Sequence, residues 1–579
     1  MVRLFLSQMN ATVGDVAGNA AKVRDGLDRA RRWGADIAVF PECALVGYPP
    51  EDLLFKSRFV ADNLKALDDL REHTRGLTAV VGFVERDDDL YNAAAVLHNG
   101  ELRAVVRKNI LPNYGVFDED RYFQTGHETR VFRLGACTFG VTICEDLWYP
   151  SGPGRTQALL GGAELLINIS ASPYHAGKVA FRETMLGTRA SDNAAILAFC
   201  NLVGGQDELV FDGNSLVFSP RGQVLARGLA FEEDHVVADV DPREVFAQRL
   251  RDPRRRVALR REALATPLGE PVVLPELPAG PRPPLPRREL GPMGEEEEIY
   301  RALVLGCRDY ARKNGFGKVL LGLSGGIDSA LTAAVAADAL GAGQVVGVTM
   351  PSPYSSPGSV SDSLELAGNL GIACREIPIS GVFQAFLDTL APQFAGTPPG
   401  VAEENVQARI RGTLLMALSN KFGWLLLSTG NKSETSVGYC TLYGDMAGGL
   451  NVLKDVPKTL VYRLSRWRNA QAPGPWIPQA VLDKEPSAEL RPNQRDSDSL
   501  PPYEVLDPII QGYVEEDRAR ETLEAEFGAE TVARVIALVD ANEYKRRQAA
   551  PGLKITPRAF GKDRRFPLTN AYGKVPPKP

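Results

Sequence analysis

Residues 318–340 read KVLLGLSGGIDSALTAAVAADAL. The opening KVLLGL is strand-like, and DSALTAAVAADAL has the composition of a buried helix. Between them Gly325 and Gly326 let the backbone approach an anion closely, with N–H groups turned toward it. The helix N-terminus adds positive dipole, and Ser324 and Ser329 add hydroxyl donors. Asp328 suits a phosphate neighbourhood only if a divalent cation lies between the two. The competing reading is a plain strand–turn–helix corner in which Asp328 or Ser329 serves as an N-cap. The GK[ST] of the P-loop and the GxGxxG spacing are both absent.

Outward from this turn, helices and strands alternate: helix 295–314, strand 318–323, helix 328–340, strand 344–350, helix 361–371, strand 374–379, helix 402–422 and strand 424–429. That alternation predicts an α/β fold with a doubly wound parallel sheet, whose ligands sit at the strand C-termini. Upstream, VRLFLSQ (2–8), DIAVFPE (36–42), LTAVVGFVE (77–85), LRAVVRK (102–108), TFGVTICED (138–146), ELLINIS (164–170) and AILAFCN (195–201) read as strands among helical patterns. Several are apolar on both faces, as strands covered by helices would be. Residues 267–286 hold eight prolines, which excludes a helix or a central strand. The expected organisation is a first domain over 1–265, a Pro-rich extended linker over 266–290 and a second domain over 291–579. A polar, proline-bearing stretch, 483–502, reads as a mobile loop. The alternative for 267–286 is a loop inside one domain.

The chain has 579 residues, enough for two to four domains, and 66 Lys plus Arg against 72 Asp plus Glu give net −6. That balance gives no reason to expect nucleic acid as a partner. Seven scattered cysteines make no disulfide framework, no apolar run approaches a membrane span, and the start lacks a signal-peptide core. A soluble cytoplasmic protein with no membrane partner is expected. All five histidines (73, 98, 127, 175, 235) lie in the first 235 residues, so the second half works without imidazole.

SGGIDS resembles the pyrophosphate loop of ATP-pyrophosphatases, adenine nucleotide alpha-hydrolase-like enzymes that adenylate a carbonyl or carboxylate oxygen. ENVQARIR (404–411) and STGNKSE (428–434) followed by YGDMAGGLNVLKD (443–455) are similar to the NAD synthetase branch. The resemblance implies that Gly322, Leu323, Ser324, Gly325, Gly326, Ile327, Asp328, Ser329 and Thr429 bind ATP. It implies that Asn405, Glu434, Asp445, Lys454 and Lys545 serve deamido-NAD⁺, and that Asp328 and Glu434 hold Mg²⁺, the expected cofactor. For Lys545, in EYKRRQ, a solvated basic helix face competes. A carboxylate is a poor electrophile until adenylated, a step that needs Mg²⁺ and cations on phosphorus rather than an imidazole base.

In the first half Glu42, Lys108 and Cys144 each end a predicted strand. Lys suits a thiolate and a developing oxyanion, and Glu can accept and return a proton. FPECALVGYPPEDLL (40–54), RKNILPNYGVFDEDRYF (107–123) and ICEDLWYP (143–150) resemble the nitrilase/carbon–nitrogen hydrolase superfamily, in its glutaminase branch attached to NAD synthetases. The resemblance implies an αββα sandwich, with Cys144 the nucleophile, Glu42 the general base and Lys108 the oxyanion and thiolate stabiliser. It places Tyr114, Phe117, Glu145, Ser172 and Lys178 around glutamine. Cys43, Cys137 and Cys200 read as small buried apolar groups, and a pairing of Cys144 with His127 or His175 is the competing site.

The combined expectation is ATP-dependent amidation of deamido-NAD⁺, the last step of NAD⁺ biosynthesis, with ammonia from glutamine. An adenylate intermediate releases AMP, pyrophosphate and, from glutamine, glutamate. The alternatives are another amidotransferase with this pyrophosphate loop, or an ammonia-only synthetase whose nitrilase-like half is an assembly domain. By resemblance a homo-oligomer, an octamer, is expected.

Overall fold

The computed structural model describes residues 1–277, 280–285, 288, 290–471 and 475–572. They form two compact units: Met1–Gln206 with Val210–Pro292, and Met293–Pro579 with Asp207–Leu209. Parts of the expected linker (278, 279, 286, 287, 289) and of the second domain (472–474, 573–579) lie outside the described residues.

The first unit holds two facing sheets. One has six strands in the order Asp234–Val240, Val2–Gln8, Ile37–Val39, Thr78–Arg86, Leu90–His98, Glu101–Arg107. The other has seven: Val224–Arg227, Leu216–Phe218, Ile196–Asn201, Leu165–Ser170, Cys137–Ile143, Val131–Leu134, Val272–Leu274. Leu4, Leu6, Val39, Val80 and Val96 of the first pack with Phe139, Val141, Ile167, Ile169 and Ala198 of the second in one buried core. Helices Val16–Arg32 and Ser57–Leu70 cover the outer face of one sheet, and Pro153–Leu159 and Lys178–Asn193 that of the other. This is why the central strands are apolar on both faces.

Described residues of the proline-rich stretch are attached to the first unit. Val272–Leu274 pairs in parallel with Val131–Leu134 as an edge strand, the sheet position that tolerates nearby proline. Arg282 and Pro283 extend the attachment: Arg282 Nη2 donates to Asp36 Oδ1 at 2.7 Å, and Arg3 Nη1 donates to the Pro283 carbonyl at 2.7 Å. The first compact unit therefore runs to Pro292, past the expected boundary at 265.

The second unit is built on five parallel strands in the order Ala373–Glu376, Val345–Thr349, Val319–Gly322, Leu425–Ser428, Leu450–Asn451. Strand order reverses at Val319–Gly322, so the crevice beyond its C-terminal end is where such a sheet binds ligands. Helix Ile327–Leu340 is buried almost throughout, and Val401–Phe422 packs on the strands Val319–Gly322 and Leu425–Ser428. Residues 483–502 contain a short turn, Asp496–Asp498, and are tied down by side chains. Glu489 accepts from the Ser359 hydroxyl at 2.7 Å, and Gln407 Nε2 donates to the Leu490 carbonyl at 2.9 Å.

Candidate active sites

Glu42, Lys108 and Cys144 do not end their strands; each lies just beyond one. Strand Ile37–Val39 stops early, since Pro41 has no N–H to continue the ladder, and Glu42 falls in the turn that follows. Lys108 follows Glu101–Arg107 directly. Cys144 opens a turn, Cys144–Leu147, with φ +43°, a left-handed conformation that few non-glycine residues adopt. The sharp turn takes the thiol off the strand line.

The three side chains converge, and a fourth joins them. Lys108 Nζ donates to Glu42 Oε1 at 2.7 Å and to Glu119 Oε1 at 2.8 Å. Asn92 Nδ2 donates to Glu42 Oε1 at 2.7 Å, the Ala171 N–H donates to Glu42 Oε2 at 2.8 Å, and Tyr48 Oη donates to Glu119 Oε1 at 2.7 Å. All of these groups are buried. Burial works against the Lys108 charge, but Glu119 and Glu42 outweigh it and hold the ammonium well above the usual lysine range. Burial, and then the charge of Glu42, push the Cys144 thiol well above the ordinary range, with Lys108 opposing. A thiol so placed stays protonated at neutral pH. The charges acting on Cys144 come from Glu42, Lys108, Glu145 and Glu119, and the His175 ring meets its neighbour's carbonyl, Ala176 O, at 3.0 Å.

Around the thiol, Tyr114 Oη donates to Glu145 Oε1 at 2.9 Å, and the Tyr114 and Phe117 rings meet edge-on at 5.4 Å. The Ser172 N–H donates to Asn201 Oδ1 at 2.9 Å, and Lys178 Nζ to the Pro173 carbonyl at 2.6 Å. Glu145 is raised by burial, with Tyr114, Lys108 and Lys178 acting against the rise. Asp146 is pushed up to about 7, by burial against three backbone N–H donors and Lys108. Cys43, Cys137 and Cys200 are buried.

In the second unit the glycine turn runs from strand Val319–Gly322 into helix Ile327–Leu340. Gly325 has φ +73°, and a Cβ there would lie 2.5 Å from the Ser359 carbonyl oxygen. Ser329 Oγ donates to the Gly326 carbonyl at 2.9 Å and sits 3.2 Å from Ser324 Oγ. Gly322 ends the strand, the Leu323 N–H donates to the Val348 carbonyl at 2.8 Å, and Ile327 begins the helix. Asp328 is no cap. It is ion-paired to Lys458, which also lies 3.3 Å from Glu434 Oε1, and Asn431 Nδ2 donates to Asp328 Oδ1 at 2.9 Å. Asn431 Oδ1 accepts the Glu434 N–H at 2.9 Å, capping the helix that carries Glu434. Burial lifts the Glu434 carboxyl to about 8, with Lys458 opposing and Asp328 adding to the rise. Thr429 follows the strand Leu425–Ser428 at the same end of the sheet.

Asn405, Asp445 and Lys545 gather on the segment 438–441. Thr441 Oγ1 donates to Asn405 Oδ1 at 2.7 Å, and the Thr441 N–H to Asp445 Oδ1 at 2.6 Å. Lys545 Nζ donates to the Gly438 and Cys440 carbonyls at 2.8 and 2.9 Å, so it is engaged with the fold rather than lying on a solvated helix face. Lys454 donates to the carbonyl of Ala550, which lines the cavity beside this group, at 2.7 Å. Beside this group a cavity of about 570 Å³ is lined by Gly412, Met416, Tyr443, Gly448 and Gln548, among others.

Sequence reading missed Glu119, Asn92, Asn431 and Lys458. Glu119 lies in the quoted FDEDRYF, where nothing separates it from Asp118 and Asp120. Asn431 lies inside the quoted GNKSE, and Lys458 three residues past the quoted LKD.

Fold and sites together define a carbon–nitrogen-hydrolase-type amidase unit joined to an ATP-pyrophosphatase-type synthetase unit. Residues 3–249 match the carbon-nitrogen hydrolase family and residues 299–549 the NAD synthase family. The glutamine-dependent NAD(+) synthetase of Thermotoga maritima is 50% identical over 577 residues, covering 99% of each chain. That of Aquifex aeolicus is 49% identical over 578 residues, covering 99% of this chain and 100% of the other. The solved glutamine-dependent NAD+ synthetase of Acinetobacter baumannii, in complex with ADP, aligns with TM-score 0.75 at 40% identity, over 98% of each chain. The chain belongs to the glutamine-dependent NAD⁺ synthetase family. Among the described residues no helix is long and apolar enough to cross a membrane.

Proposed function

We infer that the chain converts deamido-NAD⁺ to NAD⁺ with ATP, using ammonia released from glutamine at Cys144. The observation that carries the reading is the Glu42–Lys108–Glu119 cluster buried beside Cys144, on a chain that also carries the Asp328–Lys458–Glu434 cluster at its glycine turn. Glu42 takes the thiol proton as sulfur attacks the glutamine amide carbon. The oxyanion that forms is met by the Lys108 ammonium. Collapse breaks the C–N bond, Glu42 returns the proton, and ammonia leaves. Water, deprotonated by Glu42, then hydrolyses the thioester to glutamate and the free thiol. Glu119 holds Lys108 protonated and in place. Tyr114, Phe117, Glu145, Ser172 and Lys178 enclose the substrate, and the acidic Glu145 suits its α-ammonium.

In the second unit the turn Gly322–Ser329 and Thr429 bind ATP, with the N–H groups and hydroxyls of the glycine turn on its phosphates. Lys458 adds positive charge there. Asn405, Glu434, Asp445, Lys454 and Lys545 serve deamido-NAD⁺ beside the cavity along helix Val401–Phe422. Asp328 and Glu434, which share Lys458, are the carboxylates that would hold Mg²⁺ once it arrives with ATP. Bound there, Mg²⁺ would neutralise charge on the reacting phosphate. The substrate carboxylate oxygen bonds to the ATP α-phosphorus as pyrophosphate leaves, and ammonia then displaces AMP. The enzyme acts in the cytoplasm as a homo-oligomer, an octamer.

Product analysis with ATP and deamido-NAD⁺ tests this. Cys144→Ala is expected to abolish NAD⁺ formation from glutamine and retain it from ammonium chloride, while Asp328→Ala abolishes both. Retained glutamine-driven synthesis in Cys144→Ala would sink the assignment.

A further inference from the structure

Asp146 takes no part in the steps above, yet its carboxylate joins the two segments that carry the reactive groups. Oδ1 accepts the N–H of Asn109 at 2.9 Å and that of Ile110 at 2.9 Å, immediately after Lys108. Oδ2 accepts the N–H of Ile143 at 3.0 Å, immediately before Cys144. One buried carboxylate, only 1% exposed, thus spans the start of the Cys144 turn and the residues following Lys108.

We propose that Asp146 is a positioning residue of the glutaminase reaction, fixing the Cys144 thiol relative to Lys108 through these three backbone bonds. The physical reason lies in the backbone of Cys144. At φ +43° it sits in a left-handed conformation that a non-glycine residue keeps only where its surroundings over-determine it. The Ile143 N–H bond closes the turn from one side, and the Asn109 and Ile110 bonds anchor that same carboxylate to the Lys108 segment. A side-chain amide cannot replace it. The three N–H donors require acceptance at both oxygens, which the carboxylate supplies, whereas asparagine accepts at one and presents N–H donors at the other. In Asp146→Asn, either the Ile143 N–H or the Asn109–Ile110 pair would face another donor, and the two segments would part. Misplacement on the scale of 1 Å costs on the order of 100-fold in rate.

The proposal rests on Cys144 being the glutaminase nucleophile, which Cys144→Ala tests separately. Full-length Asp146→Asn is compared with wild type in glutamine-driven and ammonia-driven synthesis, with glutamine KM and kcat determined separately. We expect glutaminase kcat to fall about 10- to 100-fold, glutamine KM to stay within threefold, and ammonia-driven synthesis to stay within twofold. A kcat within twofold of wild type would overturn the proposal, as would a loss carried by KM alone. If ammonia-driven synthesis is lost as well, Asp146→Glu decides. Recovery of the ammonia reaction without the glutamine reaction supports the positioning role. Recovery of both reactions, or of neither, overturns it, because a longer carboxylate would then suffice or the group would serve the fold of the whole chain.

Discussion

At the scale of single residues, the first site is governed by one imbalance: two carboxylates and a thiol share a single buried ammonium. Glu42 and Glu119 keep Lys108 charged, and that charge is not enough to ionise the thiol against burial and Glu42. The consequence is a pH dependence. A group raised above its ordinary value stays protonated through neutrality, so the thiolate fraction of Cys144 climbs about tenfold per pH unit until the elevated value is passed. Iodoacetamide alkylation of Cys144, with Cys144→Ala as the background, should accelerate steadily from pH 6 to 9. A plateau in that range would mean a preformed thiolate and would contradict the neutral resting state. Of this site Glu42, Lys108 and Cys144 were legible in the sequence because each follows an apolar strand pattern. Glu119 was not, because its partner Lys108 is brought to it only by the fold.

At the scale of elements, the glycine turn shows how little room separates a binding loop from a broken one. Gly325 combines φ +73° with a backbone 2.5 Å from where a Cβ would stand. Alanine there carries both the left-handed strain and a clash with the Ser359 backbone, which cannot swing aside. Gly325→Ala is expected to lower ammonia-driven NAD⁺ formation at least about 100-fold while glutamine hydrolysis continues, as pyrophosphate and glutamate assays would show. Wild-type pyrophosphate release would contradict this account. Strand placement shows the opposite limit. Leu90–His98 (LYNAAAVLH) was missed because alanine is a poor strand former in isolation, yet Ala93–Ala95 are completely buried between two neighbouring strands. Val272–Leu274 was hidden among prolines for the same kind of reason: among the described residues its pairing is long-range, with Val131–Leu134.

At the scale of the molecule, two catalytic sets on one chain make sense if free ammonia is to be kept from protonation, since ammonium is not a nucleophile. Glutamine hydrolysis without an acceptor is then wasted. Glutamate release is expected to rise when ATP and deamido-NAD⁺ saturate the second site, which requires the occupied and empty states to differ in contacts with the first. A rate indifferent to both ligands would refute the coupling and leave the two sites untouched. Sedimentation at micromolar concentration is expected to show an assembly well above the 62.8 kDa chain. A single species of that mass would refute the oligomer.

The sequence by itself determined the two α/β halves, the Cys–Glu–Lys set, the glycine turn and the lack of any imidazole chemistry in the second half. All of these follow from local patterns: apolar runs, spacing, and residue types with fixed chemistry. Only the tertiary structure decided which acids matter. Glu119 meets Lys108, Lys458 stands between Asp328 and Glu434, and Asp146 bridges Asn109–Ile110 to Ile143. Most of these partners lie tens of residues apart, and even neighbours such as Lys108 and Glu119 meet only through the path of the chain between them. Their pairing depends on where strands end in space, and no periodicity along a chain encodes that.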